Sequence, residues 1–262
     1  MVLTPSLLLP GASSQVTDTV LLIAIFAAGF VIVEYAATSP GLVEFRGAPP
    51  LNRIRFATLW AMLLLIGLAC RGIESPSTLG RLVQAVGLLL GQAMDIPLSP
   101  VRLLLWLLPD GVPEASVHLV RMAAGLAYLV ALVGLTVFAI VMRARNWPAA
   151  RGTFNVWTNL PTFDPVSGGD VVARLNRDGA VNIGIGLVLP YLAPPVVYGI
   201  ARLYGVSMLD SPLLLVWVMS AWAFLPASLI LRGIAMRRLA RTISERRVAA
   251  GRAAEDSALS PA

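Results

Sequence analysis

Lysine is absent from this 262-residue chain, and all 20 of its basic residues are arginine. That excludes chemistry needing an amine nucleophile, such as a Schiff base to a carbonyl, and the lysine of a phosphate-binding P-loop. Cysteine occurs once, at Cys70, so neither an internal disulfide nor a C-x-x-C redox pair can form. Histidine also occurs once, at His118. One chain therefore supplies neither two imidazoles to a haem nor an H-E-x-x-H zinc site. Charge is scarce as well, at 13% of residues, where a soluble domain carries about 25%. Too little polar surface is left to clothe a water-facing fold, and a bilayer becomes the natural solvent.

What the chain has in abundance fits that solvent. Hydrophobic residues make up 57% of it, and the mean hydropathy is +0.79. Five apolar stretches are each read as a spanning helix: Thr19–Ala37, Phe56–Gly72, Val117–Met142, Val181–Leu203 and Pro212–Leu231. Residues 1–19 carry no arginine, so they lack the positive start of a secretory signal, and the first span is expected to stay in the protein. The expected fold class is all-α: a polytopic integral membrane bundle of about five transmembrane helices plus an amphipathic interfacial helix. Residues 1–236 form the transmembrane domain. Residues 237–262 are expected to form a basic cytoplasmic surface helix with a disordered tail from Ala249 onward.

The interfacial helix is Leu79–Asp95. At 100° per residue, Arg81, Gln84, Gln92 and Asp95 gather on one side, interrupted by Leu88, and are expected to face water or a polar partner. Pro97 and Pro100 end it. The competing reading makes this segment a sixth span, and the arginines argue against it. With five spans, fifteen arginines fall on one side of the membrane and five on the other. By the positive-inside rule the N-terminus lies outside and the C-terminus in the cytoplasm of the inner (plasma) membrane. The net charge of +6 is thus explained without nucleic acid, for which no binding pattern is visible.

The first arginine-rich turn, residues 39–56, sets Glu44, Arg46, Arg53 and Arg55 among prolines and glycines. Glu44 is expected to pair with one of those three arginines, and Glu34 with Arg53 or Arg55. Together with Trp147, Trp157 and Phe163 of the long loop 143–180, the charged residues make a candidate docking surface for another membrane subunit. Ser167-Gly168-Gly169-Asp170 is expected to cap a short helix ending near Arg177. Gly87 and Gly91 form a G-x-x-x-G, which permits close helix approach. In the fourth span Asn182 precedes Pro190, Pro194 and Pro195, a combination that breaks helices and lines some transport paths. Glu114, His118 and Arg121 share a helix face as a local ion pair; two such ligands are too few for zinc.

No cofactor fingerprint or nucleophile motif occurs. The leading expectation is a non-catalytic accessory or assembly subunit of a larger membrane complex, in contact with lipid and with other membrane subunits. The alternative is a small transporter or channel built on the proline-broken helix. An enzyme would have to work with carboxylates and arginines alone.

Overall fold

A computed structural model describes residues 1–9, 14–38, 41–145, 147–148, 159–161, 163 and 169–259. Among these residues every regular element is a helix. They are α1 (Thr4–Leu8), α2 (Ser14–Ala36), α3 (Leu51–Glu74), α4 (Thr78–Met94), α5 (Pro100–Trp106), α6 (Glu114–Ala144), α7 (Val171–Tyr204) and α8 (Pro212–Leu259). Five of them, α2, α3, α6, α7 and α8, are long and apolar enough to cross a bilayer. The chain is a multi-pass helical membrane protein.

The bundle is built on α3, α6 and α8, which pack on one another, with α7 laid along α8. Helices in lipid gain little from hydrophobic burial, so contact depends on close packing and on hydrogen bonds between helices. Small residues supply the closeness. A Cβ at Gly134 of α6 would overlap the Thr58 side chain of α3, and one at Gly233 of α8 would sit 2.5 Å from the Gly179 carbonyl oxygen of α7. Gly87 and Gly91 of α4 meet Gly125 of α6, where a Cβ would run into the Gly87 carbonyl and the Gly91 amide.

α4 is not a sixth span. Gly72 lies against Gly80, Gln84 donates to the Ala69 carbonyl at 2.8 Å, and Gly91 touches Arg121. All these partners lie in the last turns of α3 or the first turns of α6, so α4 crosses one end of the bundle. Ser77 starts it by accepting from the Gly80 amide at 3.0 Å. Its polar stripe divides. Arg81 and Gln92 are exposed, whereas Gln84 turns to Ala69 and the nearly buried Asp95 is held by Arg102 and by Arg121, the latter at 3.1 Å.

Several expectations are corrected. The segment at Asp170 is no short helix: Asp170 caps the Ala173 amide at 3.2 Å, and α7 runs unbroken from Val171 to Tyr204 through all three prolines. Gly205, at φ +65°, then ends it in the left-handed conformation that favours glycine. α8 likewise joins the span read as ending at Leu231 and the expected basic helix into one element. It continues for 48 residues to Leu259, roughly 72 Å at 1.5 Å per residue against a hydrocarbon core of about 30 Å. The stretch 249–259, expected to be disordered, is thus helical, and Ser260–Ala262 lie outside the described residues. The start of the basic extension packs inward, with Met236, Leu239 and Ala240 buried in one cluster with Leu175 and Trp147, whereas residues 244–252 are exposed. Finally, α1 is an element that composition did not suggest; it packs against α3, with Leu8 on Gly67 and the Trp60 indole donating to Thr4 at 3.2 Å.

Candidate functional site

Sequence-distant segments meet at the end of the bundle that carries most arginines. The turn after α2, the loop after α6 and the second half of α8 are joined there by specific bonds. This is the grouping that five alternating spans require.

Glu44 is the centre. Its carboxylate takes two bonds from Arg232, at 2.5 Å from Nε and 2.6 Å from Nη2. This bidentate fork joins residues 188 positions apart. The fork comes from none of the expected partners Arg46, Arg53 and Arg55, although Arg55 lies close enough to feel the Glu44 charge. Arg46 donates to the carbonyls of Glu34 at 2.6 Å and Ala37 at 2.5 Å, satisfying the open C-terminal end of α2. Arg53 is exposed. Arg55 lies mostly inside, one turn into α3, and both Nε and Nη2 donate to the Ser228 hydroxyl of α8, at 2.7 Å from Nε. Arg232 also donates from Nη1 to Asn182 Oδ1 at 2.9 Å, and Asn182 Nδ2 passes the chain to the Asp178 carbonyl at 2.7 Å. One network therefore binds the first turn to α7 and α8, and Arg55 ties α3 to α8 beside it.

Glu34 departs from expectation in the same way. It bonds neither Arg53 nor Arg55. Its carboxylate accepts the amides of Gly41, Leu42 and Val43 at 3.0 to 3.3 Å, a cradle of backbone donors that folds the turn back over the end of α2.

The long loop completes the site. Asn159 accepts the Phe45 amide on its carbonyl at 2.6 Å and the Gly47 amide on Oδ1 at 2.8 Å. Phe45 is 1% exposed and sits at φ +54°, a conformation that costs an L-residue free energy and persists only where surroundings over-determine it. Here the Asn159 bond and the packing of the Phe45 ring against Trp147, with centroids 5.9 Å apart, do so. Trp147 also packs on Phe138, and its carbonyl accepts from Arg238 at 3.1 Å. Arg174 lies over the Phe163 ring at 4.6 Å. Trp147 and Phe163 are each 5% exposed, so their rings are occupied inside the chain and face no partner. Trp157 lies outside the described residues.

No family model, curated protein or solved structure matches this chain.

The proline segment is equally self-contained. Pro194 has no N–H to give the Pro190 carbonyl, and the Trp222 indole of α8 donates to that carbonyl instead, at 3.0 Å. Trp222 is itself held edge-on against Tyr128 at 5.1 Å. At the other end, His118 Nε2 lies 3.7 Å from Glu114 and His118 Nδ1 is 3.4 Å from Arg121, a local charged cluster. Among the described residues, no three His, Cys, Asp or Glu side chains converge as metal ligands.

Sequence reasoning missed Arg232, Ser228, Asn159 and Trp222. Arg232 was legible as an interface charge, but nothing local indicates that it serves Glu44. Asn159 carries no signal beyond its polarity in an aromatic loop.

Proposed function

We propose that this protein is a non-catalytic accessory or assembly subunit of a larger membrane complex, seated in the inner (plasma) membrane with its N-terminus outside and its arginine-rich end in the cytoplasm. The observation that carries this reading is α2. The apolar stretch of α2 has a mean hydropathy of 2.4, yet none of it is buried within the chain. It hangs from the bundle by a turn that Glu34, Arg46 and Asn159 hold in one shape. An apolar helix whose spanning stretch is left unburied by the bundle suits a subunit that offers a spanning helix to a neighbour. The transporter alternative has less support: the Pro190 carbonyl is taken by Trp222, and Asn182 is bonded to Arg232 and Asp178.

A photo-crosslinking residue in place of Phe26, which is 70% exposed, tests the proposal in native membranes. A discrete adduct with a different membrane polypeptide is expected, and a probe at the fully buried Met219 should give none. If the Phe26 probe gives only lipid adducts or adducts with a second copy, the accessory-subunit reading fails. Reporter fusions after Gly111 and at the C-terminus test orientation, and a cytoplasmic Gly111 reporter would reverse it.

A further inference from the structure

The end of the bundle opposite the Glu44 network holds a cavity of about 380 Å³ between α5, α7 and α8. Its walls are almost wholly apolar, formed by Leu104, Leu108, Val197, Met208, Trp222 and Leu225 among others. The space exists because small residues line α7 and α8 where large ones would fill it: Ala193, Ala201, Gly205 and Ala221 all border it. An apolar cavity offers water no hydrogen-bond partners, and an unfilled one forfeits dispersion contacts along its walls. Its volume falls in the range that accommodates small organic ligands, roughly 300–1,000 Å³.

Two features say what fills it. Val197 and Leu225 line the cavity and are still 42% and 53% exposed, so the cavity is open on one side rather than sealed. Both belong to spanning helices, which turns that opening toward the acyl region of a bilayer. At its rim stands Arg202, exposed, with its guanidinium 5.8 Å above the Tyr198 ring. Among the described residues no carboxylate forms an ion pair with Arg202. Tyr204 and Trp106 are also exposed, as suits aromatic side chains at the boundary with lipid headgroups. An apolar cleft open to lipid, with one uncompensated guanidinium at headgroup level, is complementary to a chain below an anionic group.

We infer that this cavity binds one phospholipid of the surrounding bilayer, its acyl chain lying along α7 toward Pro194 and its phosphate paired with Arg202, with preference for anionic headgroups. The site is independent of the proposed role in assembly, because it lies at the other end of the bundle and uses none of α2.

The full chain, reconstituted in nanodiscs of mixed phosphatidylglycerol and phosphatidylcholine and released for native mass spectrometry, tests it. The wild type should retain one phospholipid, enriched several-fold in phosphatidylglycerol over the supplied mixture. Arg202→Gln should keep a bound lipid and lose the enrichment, whereas Arg71→Gln, at another exposed arginine toward the same end, should keep both. Ala221→Trp and Ala193→Leu, which fill the space, should each lose the lipid; either one that remains monodisperse and helical is sufficient. A wild type that retains no lipid, an enrichment unmoved by Arg202→Gln, or a folded filling variant that still holds its lipid would each overturn the proposal. Should both filling variants fail to fold, Arg202→Gln against Arg71→Gln decides alone.

Discussion

α2 and α6 are equally apolar, each with a mean hydropathy of 2.4 over its most apolar stretch, yet none of that stretch is buried in α2 and 44% is buried in α6. Hydropathy cannot be what separates them. α6 presents Gly125, Ala124, Ala127, Ala131 and Gly134 to neighbours that are themselves small or deeply notched: Gly87, Gly91 and Thr58. α2 contains Gly29, and a Cβ there would meet nothing within 4 Å. Apolarity moves both helices from water into lipid. Matched small surfaces then decide which of them leaves lipid for protein, because in a bilayer closer packing, together with hydrogen bonds between helices, distinguishes a helix neighbour from an acyl chain.

The contrast breaks most visibly at the glycines. Gly125→Leu drives a side chain into the backbone of α4, which cannot give way as a flexible side chain would, and should cost more than about 3 kcal/mol, at or above the upper end of overpacking penalties. Gly29→Leu should change stability by no more than about 0.5 kcal/mol, as for a surface site. Thermal unfolding of the two variants in detergent measures both. Comparable losses would mean that α2 is packed after all.

Next in size is the difference between the two acids that organise the first turn. Glu44→Gln leaves Arg232 without its countercharge in a largely enclosed site, 25% exposed against 10% for Glu44, and should lower global stability by about 3 kcal/mol. Glu34→Gln loosens the amide cradle that mounts α2, so its effect should be local: faster proteolysis within 37–45 and an almost unchanged melting temperature. A large global loss for Glu34→Gln would show that α2 contributes to the bundle's stability, contrary to its lack of burial.

The smallest effect lies outside the apolar spans, where Asp170 caps α7 and receives a bond from Arg247 at 2.6 Å. The Arg247 hydrogen bond, with the Val172 and Ala173 amides, holds the Asp170 carboxyl below its usual range. A depressed folded-state value means this contribution is present above the unfolded pKa of about 3.8 and is lost as pH falls through the folded value. The pair is half exposed, so only a small drop in melting temperature is expected between pH 5 and pH 3. Asp170→Asn, which keeps the cap, should reduce that drop. An unchanged acid limb in the variant would assign it to other carboxylates.

These elements differ in how readable they were. Five apolar spans, the helix over 79–94 and the Asp170 cap can be read locally, since each is a property of consecutive residues. Glu44 shows where local reading stops. Three arginines lie within eleven positions of it, and its partner is Arg232. Nearness along the chain counted for less than direction, because Arg46 is drawn to the open carbonyls of α2 and Arg55 to Ser228 inside the bundle.

Composition and periodicity alone determined that this protein is a helical membrane protein with five long apolar segments, because transfer from water to lipid is a sum over neighbouring residues. The tertiary structure alone decided that α2 stands apart while α6 is enclosed, that Trp147 and Phe163 face inward, and that the Pro190 carbonyl belongs to Trp222. Those outcomes depend on shape and donor geometry matched between segments up to 188 positions apart, and no local sum over the chain contains that information.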